Sequence, residues 1–131
     1  MTRDPARSTV VRYELPFPPS TNNLFKNAKK GRARTEHYDA WRVTAGKLIM
    51  MQGRKRIHGH IGLAVDLVKP DRRRRDLSNT LKAIEDLLVE MQVIDDDSLI
   101  QALSVQWVDE GVPCVVTISD LVAVPVEMPL Q

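Results

Sequence analysis

The sequence predicts an α/β (α+β) fold: one small domain with a mixed sheet of about four strands and two packed helices. Three observations lead there. Apolar residues alternate at period two in four segments. They recur at helical spacing in two longer ones. The segments follow one another as strand, helix, strand, helix, strand, strand, with the last two strands expected to be antiparallel neighbours. At 131 residues and 43% hydrophobic content, the chain can bury one core.

The first strand is expected at residues 9–15, where Val11, Tyr13 and Leu15 share a face against Arg12 and Glu14. Pro16, Pro18 and Pro19 end it, because proline lacks the N–H that a ladder needs. Residues 20–34, STNNLFKNAKKGRAR, read as a long basic loop without secondary structure. A helix at 36–52 carries Tyr38, Trp41, Ala45, Leu48, Ile49 and Gln52 near one face, and Gly53 stops it. The second strand, 61–68, buries Ile61, Leu63, Val65 and Leu67 and closes at Pro70. The second helix, 77–91, has the stripe Leu77, Leu81, Ile84, Leu88 and Met91. Leu99, Leu103, Val105 and Trp107 mark a third strand at 99–108. Asp109-Glu110-Gly111 reads as a hairpin turn into a fourth strand through Cys114, Val116 and Ile118. The domain is expected at residues 9–120, with flexible tails at 1–8 and 121–131.

Charge divides the chain. Residues 1–75 hold 18 of the 19 Lys/Arg and 6 acids, whereas residues 76–131 hold 11 acids and only Lys82. A basic half suits a polyanionic partner; alternatively the halves interleave in space and cancel. No apolar run reaches the roughly 18 residues of a membrane span. The N-terminal residues lack the apolar stretch of a signal peptide, and Cys114 stands alone. The expected location is a reducing cytoplasm, that of a bacterium or its phage. Cys114 reads as a small core residue.

Chemistry concentrates in PDRRRRDLSN, Pro70 to Asn79. Arg72, Arg73, Arg74 and Arg75 suit phosphate, and Asp76 opens the second helix. Lys82 lies one turn in, and Asp95-Asp96-Asp97 precedes the third strand. Crowded carboxylates need a cation, and Mg²⁺ takes oxygen ligands while keeping several waters. A lysine nearby can stabilise charge developing on phosphorus. Each feature also has a plain alternative: Asp76 as a helix N-cap, the acids as a solvated turn, Lys82 as an exposed helix lysine, the arginines as a surface loop. Phe25, among Asn22, Asn23, Lys26, Lys29, Lys30, Arg32 and Arg34, is a candidate wedge or stacking residue against a base. Trp41 and Trp107 lie on apolar stripes and read as core. His58-Gly59-His60 reads as a solvent-facing loop with no evident carboxylate partner.

These residues carry a resemblance. LPFPPSTNN (Leu15 to Asn23), PDRRRRDLSN, Lys82 and VIDDDSLI (Val93 to Ile100) together resemble the RusA family of Holliday-junction resolvases, over roughly Tyr13 to Ile118. The resemblance implies a homodimeric endonuclease, dependent on Mg²⁺ or Mn²⁺, that nicks four-way DNA junctions in symmetric pairs; members often come from prophages. It implies Asp76 and Asp97 as metal ligands, with Asp96 the alternative to Asp97, and Lys82 as the catalytic lysine. Asn23 and the arginine run would contact DNA backbone, with Lys26, Lys29 and Lys30 beside them. The family pattern commonly reads RDLDN, and here Ser78 stands where the second aspartate is expected. Asp76 and Asp97 with waters, a substitute acid such as Glu85, or a junction binder that cuts poorly are the three readings of that change.

Overall fold

Alternation in residues 10–15 produces the first strand, β1 (Val10–Leu15), with Val11, Tyr13 and Leu15 turned inward. The computed structural model describes residues 9–121, so the expected tail at 1–8 and, apart from Leu121, the one at 121–131 lie outside the described residues. A short 3₁₀ turn, Thr21–Asn23, leads into β2 (Phe25–Ala28) and β3 (Gly31–Arg34). Then come helix α1 (Glu36–Met51), strand β4 (Ile61–Val68), a 3₁₀ turn at Leu77–Thr80 and helix α2 (Leu81–Glu90). A further 3₁₀ turn, Asp97–Leu99, precedes β5 (Ile100–Val108), and β6 (Cys114–Asp120) closes the described chain. The fold is α+β, as the periodicities predict: a mixed four-stranded sheet, a separate two-stranded sheet and two helices.

The four-stranded sheet runs β1-β6-β4-β5. β6 is antiparallel to both β1 and β4, and β4 is parallel to β5. The expectation that the last two strands pair with each other is therefore wrong. Packing explains it. β6 carries Cys114, Val116 and Ile118, all fully buried, and so takes an interior place between β1 and β4. β5 exposes Gln101, Ala102, Leu103, Ser104 and Gln106 and lies at the edge. The 109–113 link steps over the end of β4, roughly 10 Å at two strand spacings. The Val68 N–H donates to the Pro113 carbonyl at 3.0 Å and ties that crossing down.

Residues 20–34 are also more ordered than expected. β2 and β3 form an antiparallel hairpin around Lys29 and Lys30, and Gly31 takes a φ of 82° that favours glycine. FKNA and GRAR lack an alternating apolar face, so period-two analysis does not detect them. Helix α1 starts where Thr35 accepts from the Tyr38 N–H at 3.2 Å, and it buries Tyr38, Trp41, Ala45, Gly46 and Ile49. α2 buries Ala83, Ile84, Leu87 and Leu88. The predicted second helix is shorter than expected, because residues 77–80 tighten into 3₁₀ geometry. There Thr80, buried, donates its hydroxyl to the Leu77 carbonyl at 2.6 Å. Both helices contribute to one core with the inward residues of β1, β4 and β6. Cys114 sits inside it, and burial pushes its thiol up to about 12. No helix among the described residues is long and apolar enough to cross a membrane.

Candidate functional site

The arginine loop folds on itself through Asp71. Its carboxylate accepts from the Arg73 backbone N–H at 3.0 Å and from Arg75 Nε at 3.4 Å and Nη2 at 2.9 Å. Asx-turn bonding of this kind is what an aspartate at a loop start supplies. The Arg75 guanidinium holds the Asp71 carboxyl below the usual carboxylate range. Arg73 Nε lies 4.0 Å from Asp71, whereas Arg72 and Arg74 are exposed with no carboxylate partner among the described residues. The four arginines are thus not equivalent.

Asp76 occupies the N-cap position of the Leu77–Thr80 turn, yet its side chain makes no capping bond. The plain capping reading does not hold for it. Asp76 lines a cavity of about 230 Å³ with Phe17, Ser20, Asn22, Arg74, Arg75 and Asn79. The Thr21 hydroxyl donates to the Asn79 carbonyl at 3.0 Å, binding the proline-asparagine turn to this segment. Ser78 is exposed.

The acidic triplet divides its work. Asp95 accepts from Arg56 Nε at 2.9 Å and lies 3.2 Å from His58 Nδ1, so its carboxyl is held low, first by Arg56. His58 therefore does have a carboxylate partner, thirty-seven residues away in sequence where spacing cannot reveal it. Asp96 caps the next 3₁₀ turn, accepting from the Ser98 N–H at 3.0 Å and from the Ser98 hydroxyl, and its carboxyl is lowered by those bonds. Asp97 is exposed, and its carboxylate makes no hydrogen bond or ion pair among the described residues, although its carbonyl accepts from the Ile100 N–H.

Asp97 lines a second cleft, about 480 Å³, with Phe25, Tyr38, Arg34, Asp86 and Asp96. Lys82 donates to Asp86 Oδ1 at 3.0 Å, and this hydrogen bond, with Asp97 and Glu85 adding smaller attraction, raises the lysine above its ordinary value. Glu85 is raised, first by burial and next by the negative charge of Asp97. Asp97, Glu85, Asp86 and Lys82 therefore share one field. Asp76 and Asp97 line different cavities, and no group of three His, Cys, Asp or Glu side chains placed to hold a metal is assembled among the described residues. Both carboxylates lack a side-chain partner among the described residues, and such hard oxygen donors suit a divalent cation such as Mg²⁺ or Mn²⁺ with water completing the shell.

Residues 16–119 match the family model described as endodeoxyribonuclease RusA. The chain belongs to the RusA family. No curated protein matches it. Every RusA-type candidate, from Asn23 to Asp97, falls within the matched span.

The hairpin supplies the remaining RusA-type candidates. Lys26, Lys29 and Lys30 are exposed along it. Asn23 ends the 3₁₀ turn, and its carbonyl accepts from the Thr35 hydroxyl at 2.7 Å. Phe25 is half-buried, edge-on to Tyr38 at 5.8 Å with the Arg32 guanidinium 5.3 Å from its ring centre. Trp41 is core and donates to the Pro16 carbonyl at 3.1 Å, whereas Trp107 is only half-buried and stacks on Phe17. Sequence reasoning missed Asp86 as the partner of Lys82, although their i,i+4 spacing announces it. It also missed Tyr38, Arg34 and Arg42 in the cleft; helical and hairpin proximity bring these in, and no motif marks them.

Proposed function

We propose that this RusA-family chain is a divalent-metal-dependent endonuclease that resolves four-way DNA junctions by paired nicks. It would act as a homodimer in a bacterial or phage-infected cytoplasm. The observation that supports the reading best is the placing of available groups of both signs. Arg72 and Arg74 have no carboxylate partner among the described residues and share a short segment with Asp76, while Asp97 adds to the negative field around Lys82. Free guanidinium groups bind phosphate, and a twofold pair of sites suits a four-armed substrate.

Asp76 and Asp97, with Asp96 as the reserve, are the residues that would hold Mg²⁺ or Mn²⁺. When bound, the metal supplies an acidified water and neutralises phosphoryl oxygens. Lys82, hydrogen-bonded to Asp86, would stabilise the extra charge on the scissile phosphate. Arg72 to Arg75, Lys26, Lys29, Lys30 and Asn23 would bind the flanking backbone, and Phe25 would meet a base at the branch. For Phe25 this requires it to leave its contact with Tyr38.

One observation favours a second reading, a branched-DNA-binding protein that cuts weakly or not at all. Ser78 replaces the expected aspartate, and no three-donor cluster forms among the described residues. A single assay separates the two. On a labelled four-way junction beside linear duplex, the nuclease reading expects junction-restricted nicking in Mg²⁺ or Mn²⁺, abolished by chelator and by Asp97→Asn, with binding retained. Tight binding without nicking, and nicking gained by Ser78→Asp, would establish the second reading instead.

A further inference from the structure

We propose that the stacked pair Phe17 and Trp107 is the seat that positions the arginine loop and, through it, Asp76. The role assigned here rests on the nuclease reading above. Four side chains from three separate segments touch in turn. Lys69 Nζ lies 5.3 Å from the Trp107 ring centre. The Trp107 and Phe17 rings are parallel within 2°, with centroids 6.2 Å apart. The Arg75 guanidinium carbon lies 5.4 Å from the Phe17 centre.

Each end of the seat is stiff. Phe17 stands between Pro16 and Pro18, whose rings fix the backbone on either side. Trp107 lies opposite Leu67 in the β4–β5 ladder. The arginine loop, by contrast, is mostly exposed, and its internal bonds run to Asp71, which belongs to the loop itself. Arg75 on Phe17 joins this loop to the body of the domain, with Lys69 on Trp107 at the loop's start and the Thr21 bond to Asn79 beyond its end. Arg75 immediately precedes Asp76, and adjacent Cα atoms sit about 3.8 Å apart, so displacement of one carries the other. The Asp76 carbonyl accepts from the Asn79 N–H at 3.2 Å, but its side chain has no capping bond among the described residues to fix the carboxylate. Phe17, Arg74, Arg75 and Asp76 also line one cavity. The apolar ring at position 17 and the indole at 107 thus serve the site without touching a reacting atom.

The test compares Trp107→Ala, Trp107→Phe and Phe17→Leu with the wild type. Limited trypsin digestion reads the loop directly. Cleavage after Arg72 to Arg75 is expected to accelerate at least about tenfold in Trp107→Ala and Phe17→Leu, while cleavage after Lys29 and Lys30 keeps its wild-type rate. Junction nicking should lose kcat by roughly ten- to a hundredfold, as misplacement by about 1 Å does, with KM little changed. Trp107→Phe, which keeps a stacking ring, should restore both readouts. Wild-type digestion in both Trp107→Ala and Phe17→Leu would overturn the proposal. So would acceleration at all sites together, which marks general unfolding, or failure of Trp107→Phe to rescue. If the wild-type protein nicks no junction, the nuclease reading fails, yet the digestion arm still decides whether the seat holds the loop.

Discussion

Replacing Arg72 and Arg74 together by alanine should weaken junction binding in a way that salt reveals. Both guanidinium groups are exposed and have no carboxylate partner among the described residues, so each is available to a phosphate. A phosphate contact releases counterions, and each one contributes about 0.9 to the slope of log K against log salt. Two lost contacts per protomer are four in the proposed homodimer and remove about 3.6 from that slope. Between roughly 50 and 200 mM salt, the affinity ratio of wild type to variant should therefore shrink about 150-fold. The control is Arg12→Ala, because Arg12 is held by Glu14 at 3.1 Å on β1. The assay is fluorescence anisotropy on a labelled junction over a salt series with chelator present, so that no cutting intrudes. Parallel salt lines for the double variant and wild type would refute the assignment of these arginines to phosphate. An Arg12→Ala slope loss as large would refute the argument that an existing carboxylate partner makes an arginine unavailable.

Other outcomes follow from the same structure. Asp86→Asn removes the carboxylate charge that strengthens the Lys82 hydrogen bond and raises the lysine, so the alkaline limb of the pH–rate profile should move to lower pH. The sign is that of a cation with a raised value: its contribution is present below the ordinary lysine value and is lost as pH rises through the folded one. Asp95 is the opposite case, a carboxyl lowered first by Arg56. Its contribution is present above the ordinary aspartate value and lost as pH falls through the folded one, so Asp95→Asn should flatten the acid limb of stability measured by urea unfolding. Thr35→Ala loses the α1 N-cap and the bond to the Asn23 carbonyl, which should lower stability by about 1–2 kcal/mol in urea with an unchanged m-value. Ile84→Ala, at a fully buried α2 position, should cost about 2–5 kcal/mol by the same measurement.

Strands and helices were legible wherever one face is buried. Tyr13, Leu63, Ile84 and Val116 each sit inward, as their period requires. The β2–β3 hairpin was not legible, because its strands bury no alternating face and Gly31 alone marks the turn. Strand neighbours were misread for a different reason. Asp109-Glu110-Gly111 resembles a hairpin turn locally, while the place of β6 depends on which strand most needs burial on both flanks. At the candidate site, PDRRRRDLSN, Lys82 and the acidic triplet were visible as residue types. Their division of labour was not.

The sequence by itself determined the periodicities, the charge division at Asp76 and the RusA-type segments in their order, since these depend only on residue identity and spacing. Tertiary structure decided which charged groups are spent and which are free. Arg56 occupies Asp95, Ser98 occupies Asp96, and Asp71 occupies Arg75, leaving the side chains of Asp97, Asp76, Arg72 and Arg74 without such partners among the described residues. It also decided that Phe17 and Trp107, ninety residues apart, stack beneath the arginine loop. The physical reason is that a charge or ring takes its partner at a few ångströms, and folding sets those distances between residues far apart in the chain.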